Sequence, residues 1–234
     1  FFLLKRRAER YLKNKTEPEI CILDDLVVCG RASIDIGVYR GIYSYHLLKY
    51  SEFVYSFEAN PLIIDKLKKC FINNNNIKIE NLAISSSSGI TELKIPFREK
   101  IKEYDYEQQY QLGIASIHSA NDLDNQDYHS ISVKKVTLDE YQFQHKIGFI
   151  KIDVEGHELD IIRGAKNLLD RDKPNLLVEI EERHTGLPPS FIISEIKSLG
   201  YQCYILNQKL ELEEVNEKEF FSFKNNNFIF KPIK

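Results

Sequence analysis

Carboxylates follow two apolar runs in the second half of the chain. Asp153 closes the run 149–153, and Glu179 lies near the end of the run 175–180. If the runs are neighbouring parallel strands, these two carboxylates lie side by side. Such proximity raises the pKa of one of them and provides a base near neutral pH. A histidine shortly after the second run can do the same alone. The predicted catalytic residues are Asp153, Glu155, Glu179 and His184.

A glycine turn in the first half predicts a nucleoside-binding site. Asp35, Gly37 and Gly41 lie where an apolar run gives way to a helical pattern. Glycines allow the backbone to approach a ligand closely, and a helix N-terminus offers free N–H groups. Glu58, at the end of the next apolar run, is placed to accept hydrogen bonds from ribose hydroxyls. This pair also suits nicotinamide cofactors, although the spacing D-x-G-x-x-x-G differs from the dinucleotide pattern. A turn without a ligand is the structural alternative.

Alternating strand and helix patterns must position these residues. The pattern predicts an α/β fold with a doubly wound, mostly parallel sheet that is covered on both faces. Ligands of such sheets bind at the carboxyl ends of the strands. The predicted strands are 33–37, 53–57, 77–84, 149–153, 175–180, 201–206 and 228–230, and the predicted helices are 41–50, one from Pro61, 158–170 and 189–199.

One segment interrupts the alternation. Residues 85–136 contain two short strand patterns, 91–96 and 131–136, around a polar stretch rich in Tyr, Gln and Asp. A long segment of this kind inside a domain is usually functional. We expect a cap over the substrate at about 97–136, inserted in a single domain of residues 31–234. Residues 1–30 form a predicted N-terminal helical extension.

Composition narrows the class of protein. The chain has 32 Lys and Arg against 35 Asp and Glu, so there is no overall basic excess and no nucleic-acid partner is expected. The four cysteines have no CxxC spacing, which favours free thiols in a cytoplasmic protein. No apolar run is long enough to span a bilayer. The basic start, FFLLKRRAERYLKNK, predicts an amphipathic helix packed on the domain, with transient attachment to anionic lipid as the alternative.

The second half carries a specific set of motifs. Lys151-Ile-Asp-Val-Glu-Gly-His-Glu158 is followed by Arg163-Gly-Ala165, by Pro174 and by Leu177-Val-Glu-Ile180. In this order and spacing the motifs resemble the FkbM family of S-adenosylmethionine (SAM) dependent methyltransferases. The resemblance covers roughly residues 33–181, because the glycine turn and the segments at Glu58 and Asn81 match as well.

The resemblance implies the Rossmann-like fold of class I methyltransferases and SAM as the cofactor. It further implies O-methylation of a hydroxyl on a sugar, glycan or related metabolite. N-methylation, a non-catalytic SAM-binding module and an NAD-dependent dehydrogenase are the alternatives. The expected partner is a small-molecule or glycan acceptor, and a homodimer is left open. Oxygen-rich donors at the catalytic set suit magnesium or manganese, but methyl transfer from a sulfonium needs no metal, and none is predicted.

The resemblance also assigns binding residues. The chain departs from the family pattern at Tyr39, where Asn is usual, and at Ala59, where Pro is usual. Three further residues are expected to contact the acceptor: Ser116, His118 and His157. The expected cofactor-binding residues are Asp35, Gly37, Tyr39, Gly41, Glu58, Ala59, Asn81, Ala83 and Asp153.

Overall fold

The computed structural model describes residues 2–96, 115–117, 128–215 and 226–233. Its elements, in chain order, are α1 (Phe2–Asn14), a 3₁₀ turn (Pro18–Ile22), α2 (Leu23–Leu26), β1 (Ala32–Ile36), α3 (Ile42–Leu47), β2 (Val54–Phe57), α4 (Pro61–Cys70), β3 (Ile77–Glu80), β4 (Ala83–Ile84), β5 (Gly89–Pro96), β6 (Tyr128–Val136), β7 (Ile147–Ile152), α5 (Glu158–Arg163), α6 (Lys166–Asp172), β8 (Asn175–Glu179), α7 (Glu182–Thr185), α8 (Pro189–Ser198), β9 (Tyr201–Leu206), β10 (Leu212–Glu214) and β11 (Asn227–Pro232).

The described strands form an eight-stranded sheet in the order β10-β9-β11-β8-β7-β1-β2-β3. From β8 to β3 all neighbours are parallel, whereas β11, β9 and β10 pair antiparallel at the other end. The strand order reverses between β1 and β7, and this is where such sheets bind ligands. The predicted α/β fold with a doubly wound, mostly parallel sheet is confirmed.

Two apolar layers cover the sheet. On one face, buried residues of α5, α6 and α8 pack against strand residues such as Ile34 and Ile150. On the other face, the N-terminal helices and α3 pack against Phe149, Leu177 and Ile229. Residues 2–26 therefore complete one layer of the core, although the expected boundary near residue 30 stays a prediction.

A three-stranded sheet, β4-β6-β5, lies beside the large one. The predicted strand 77–84 is wrong in this respect, because it divides into β3 in the large sheet and β4 in the small one. The amide nitrogen of Asn81 donates to the carbonyl oxygens of Glu58 and Ala59 at 2.9 and 3.0 Å, and this fixes the bend between the two strands.

The predicted helix 158–170 is also divided. It ends at Arg163, and α6 begins at Lys166. A β carbon on Gly164 would lie 2.1 Å from the carbonyl oxygen of Ser85, so the helix approaches that backbone too closely for any side chain. The break lets both short helices pack on the sheet.

Part of the expected cap at 97–136 can be placed. Strand β6 pairs antiparallel with β5 from Tyr128 to Lys135, and Ser116 forms a bridge with Lys94. The remainder of that segment, including His118, lies outside the described residues. Within the described parts of the chain, no helix combines the length and apolar character needed to cross a membrane.

Candidate cofactor and acceptor site

A cleft follows the carboxyl edge of the parallel strands. It holds about 790 Å³, including its open mouth. The sheet order places Glu179, Asp153, Gly37 and Glu58 along this edge in that sequence, and Leu82 follows beyond β3. One end of the cleft is therefore acidic. The other end has one carboxylate and apolar walls from Phe57, Ala59, Leu82 and Ala83.

Gly37 lies at the centre of the cleft because two strands almost touch there. Its φ angle is +81°, and a β carbon would lie 1.7 Å from the carbonyl oxygen of Asp153. The amide of Asp153 donates to the carbonyl oxygen of Ile36 at 3.1 Å, which ties the end of β7 to β1. Only glycine allows this approach.

Asp35 and Gly41 support the glycine turn from behind and do not line the cleft. Asp35 is fully buried and accepts a 2.6 Å hydrogen bond from the hydroxyl of Ser44. A β carbon on Gly41 would lie 2.9 Å from the ring of Phe71. The structure thus gives both residues a packing role within a turn that sequence alone assigned to cofactor contact.

Tyr39 adopts a left-handed conformation, with φ of +45°. Asn tolerates this region far better than other residues with a β carbon, which explains why Asn is usual at this position. The amide of Tyr39 donates to Oε2 of Glu58 at 2.8 Å and so holds the turn in place. Its side chain lines the cleft and lies beneath the guanidinium of Arg40.

Glu58 joins two backbone segments at the end of β2. Its Oε1 accepts from the amide of Asn60, and its Oε2 from the amide of Tyr39, both at 2.8 Å. Burial raises the pKa of this carboxyl to about 7 despite these bonds. A carboxylate has about four acceptor positions, so lone pairs remain for a ribose diol. This geometry fits the nucleoside of SAM.

The adjoining wall is apolar. Ala59 and Ala83 line it, as the resemblance implies. Asn81 does not line it, because its amide nitrogen is committed to the carbonyl oxygens behind the wall. Asn81 thus shapes the wall from behind, and its expected contact with an adenine edge stays a prediction.

The acidic end contains two carboxyls on adjacent strands, Asp153 and Glu179. Burial raises the pKa of Glu179, and adjacent Asp153 raises it further, to about 9. Burial also opposes ionisation of Asp153, but the ammonium of Lys151 and a hydrogen bond from Glu179 together outweigh burial and lower the pKa of this carboxyl below its ordinary value. At neutral pH Asp153 is ionised and Glu179 holds the proton. Two carboxyls with pKa values pushed apart mark an acid–base site.

Sequence reasoning missed Lys151. This side chain is 6% exposed, and its Nζ lies 2.8 Å from Oδ2 of Asp153 and 4.0 Å from Oδ1 of Asp35. The ammonium also lies 4.8 Å from the centre of the Tyr43 ring. The sequence did offer one indication, because Lys151 is a single lysine inside an apolar strand pattern. A charge that is buried there requires charged or polar partners.

Glu155 and His184 form an ion pair next to the cleft. Glu155 lines the cleft, and its φ angle is positive, at 56°. Its Oε2 lies 2.7 Å from Nδ1 of His184. This hydrogen bond raises the pKa of His184. His184 itself does not line the cleft. The structure places it next to Glu155, and its charge helps to lower the pKa of Asp153.

Two of the three expected acceptor residues are described. His157 lines the cleft, and its Nε2 lies 2.9 Å from the hydroxyl of Ser85. Ser116 is buried and donates to the carbonyl oxygen of Glu155 at 2.8 Å, so it holds the loop below the cleft. Glu158 likewise stabilises this loop, because its Oε1 accepts from the amide of Gly156. Among the residues that the structure describes, no group of three or more His, Cys, Asp or Glu could hold a metal ion.

The family follows from a match over most of the chain. Residues 35–203 match the model of the methyltransferase FkbM domain. The chain belongs to the FkbM methyltransferase family. Its fold is the class I methyltransferase fold, and the cofactor of that family and fold is SAM, as predicted. This assignment separates the chain from nicotinamide-dependent dehydrogenases.

Two solved structures share the fold of this FkbM-family chain. The methyltransferase FkbM from Methylobacillus flagellatus KT aligns with a TM-score of 0.52 and 14% identity over 86% of the chain. The chain spans 43% of the length of that protein. SMU.1697c, a putative methyltransferase from Streptococcus mutans solved in complex with SAH, aligns with a TM-score of 0.50 and 12% identity, over 93% of this chain and 97% of that one. No curated protein matches this FkbM-family sequence.

Proposed function

We propose that this methyltransferase transfers the methyl group of SAM to a hydroxyl of a sugar, a glycan or a related metabolite. The observation that carries the proposal is the Asp153–Glu179 pair, two carboxyls on adjacent strands that line the acidic end of the cleft and whose pKa values are shifted in opposite directions. A carboxylate accepts hydrogen bonds from sugar hydroxyls, and its neighbour donates one.

The cofactor end is formed by the other half of the cleft. Glu58 would bind the ribose hydroxyls, and the apolar wall of Ala59, Leu82 and Ala83 would cover the adenine. When bound, SAM supplies an electrophilic methyl group on a sulfonium. With the nucleoside at Glu58 and the acceptor at Glu179, Gly37 and Asp153 would lie between the two, because β1 and β7 lie between β2 and β8 in the strand order. Because the cleft would hold SAM and the acceptor next to each other, the methyl transfer would become effectively unimolecular.

Asp153 acts on the acceptor. Its carboxylate accepts a hydrogen bond from the hydroxyl and so directs an oxygen lone pair toward the methyl group. A hydroxyl oxygen becomes strongly acidic as it gains a third bond, so a carboxylate with a lowered pKa is a sufficient proton acceptor. The proton passes from the hydroxyl to Asp153, while Lys151 on the far side of this carboxylate keeps it ionised beforehand. Glu179 retains its own proton.

The test compares Asp153→Asn and Glu179→Gln with the exposed control Asp170→Asn. SAM affinity is measured by calorimetry, and transfer of labelled methyl is measured on panels of sugars, glycolipids and amines. We expect Asp153→Asn to lower kcat by about 10²–10⁴-fold, while both site variants keep SAM affinity within a few-fold.

Three outcomes would contradict the proposal. Transfer to amines alone, with a rate that follows the pKa of the amine, would indicate N-methylation. SAM binding without transfer to any acceptor would indicate a non-catalytic module. An Asp153→Asn enzyme with unchanged kcat would remove the role of the pair.

We further propose that the protein works in a reducing cytoplasm. Its four cysteines are all free, and Cys203 is buried in the core. Labelling of the exposed thiol of Cys29 with a membrane-impermeant thiol reagent, in intact and in lysed cells, would test where the protein is located. Protection in intact cells is expected, and labelling before lysis would contradict it.

A further inference from the structure

Positive charge is concentrated in two helices of the chain, α1 and α4. The helices α1 and α4 together with Arg40 carry nine Lys or Arg and two Asp or Glu, although the whole chain has more acidic than basic residues. The two helices border one groove, to which each contributes lining residues. Arg7, Arg40 and Lys66 line this groove, and the parts of α1 and α4 that border it are defined here as the α1–α4 surface.

The groove within this surface is largely apolar. It holds about 1070 Å³, including its open mouth. Leu3, Leu4, Ile63 and Leu67 form much of its wall. The charged groups of the lining are cations: Arg7, Arg40 and Lys66. An apolar groove with a basic rim matches a ligand that combines acyl chains with a negative headgroup.

Helix α1 also presents apolar side chains to solvent. Phe2 and Leu3 are 69% and 78% exposed, whereas Leu4 and Ala8 of the same helix are buried in the core. The helix is thus anchored by one side, while exposed apolar and basic residues share its remainder. A nucleic acid would use the charge but not the apolar groups. Interfacial helices bind bilayers through this combination.

We propose that the α1–α4 surface docks the protein on an anionic lipid bilayer. The basic side chains of this surface contact the lipid headgroups, while Leu3 and the apolar groove contact the acyl chains. This inference does not depend on the proposed reaction. It would place the cleft next to the bilayer, because Tyr39 lines both the groove and the cleft.

The test uses the full chain and vesicles of phosphatidylcholine with or without phosphatidylglycerol. We expect co-sedimentation with the anionic vesicles only, decreasing with salt. The variant Arg7→Glu/Lys66→Glu should weaken this binding at least about tenfold, since each basic residue near the surface contributes substantially. The matched variant Lys134→Glu/Lys209→Glu alters the net charge by the same amount, at exposed positions outside the α1–α4 surface. It should bind the vesicles as the wild type does. Thermal melting confirms that each variant is folded.

A second measurement reports insertion and is independent of the charge variants. The chain has no tryptophan, so Leu3→Trp introduces a single fluorophore. Its emission should shift to the blue with anionic vesicles and stay unchanged with single-stranded RNA. The proposal is overturned if anionic vesicles neither sediment the protein nor shift the emission. It is also overturned if both charge variants lose binding equally, or if RNA competes fully with the vesicles.

Discussion

The ammonium of Lys151 lies 2.8 Å from the carboxylate of Asp153, where Lys151 is near the end of the buried strand β7 and Asp153 directly follows that strand. The lysine approaches from the side of Tyr43, while the cleft and Glu179 lie on the other side of the carboxylate. Lys151 is therefore a positioning residue, which determines which member of the carboxyl pair is ionised.

Lys151→Met should raise the pKa of Asp153, because the ammonium that contacts its carboxylate is removed. The acid limb of the kcat profile should then move to higher pH. Breaking a buried pair also lowers the free energy of unfolding by about 3–5 kcal/mol. Lys78→Met, which removes an exposed lysine paired with Glu80, is the control and should change stability by less than about 1 kcal/mol. An unshifted acid limb in folded Lys151→Met enzyme would refute the positioning role.

Glu58 should make SAM binding depend on pH. Burial raises its pKa to about 7, and hydroxyl donors of the ribose favour the ionised form. The affinity should therefore fall by up to about tenfold per pH unit as the pH drops below 7, with proton release on binding near that pH. Calorimetry in buffers of different ionisation enthalpy measures both effects. Glu58→Gln should bind weakly with little pH dependence, and exposed Glu92→Gln should behave as wild type. A wild-type affinity that is constant between pH 6 and 8 would argue against ribose binding by Glu58.

Gly37→Ala should destabilise the fold far more than Gly30→Ala. Both glycines have positive φ angles, of +81° and +71°. A β carbon at Gly30 meets nothing within 4 Å, so that variant reports the conformational penalty alone, about 1–2 kcal/mol. At Gly37 the same atom collides with the Asp153 carbonyl oxygen, so the loss should exceed about 4 kcal/mol. Urea unfolding measures the free energy of unfolding of both variants. Equal losses of stability would show that β1 and the backbone of Asp153 separate easily at this point.

His184 should stabilise the protein more at pH 6 than at pH 9. Its hydrogen bond to Glu155 raises its pKa, so the folded state holds the proton more tightly than the unfolded chain. The stabilisation is full below the unfolded pKa and is lost as the pH rises through the folded one. His184→Gln should therefore lower the free energy of unfolding by about 1–3 kcal/mol at pH 6 and by much less at pH 9. A double-mutant cycle with Glu155→Gln isolates the pair. A loss that does not vary with pH would assign the effect to packing.

The sequence by itself determined the family, the fold class and the composition of the acidic end. The family motif from Lys151 to Glu158 and the apolar runs before it can be recognised from the order and spacing of residues along the chain alone. Adjacent parallel strands end at the same edge, so the proximity of Asp153 and Glu179 followed from two strand ends alone. Glu58 was placed by the same argument.

Only the tertiary structure decided which of the selected residues face the cleft. Asp35, Gly41 and Asn81 were selected with Gly37 and Glu58, yet the structure turns them behind the wall that the other two line. His184 lies next to Glu155 without lining the cleft, and the role of Lys151 appeared only when its three-dimensional partners were known. Spacing along a chain fixes the element on which a residue lies. The direction of its side chain depends on how closely strands and turns approach one another, and here that was set by contacts as short as the one between Gly37 and the backbone of Asp153.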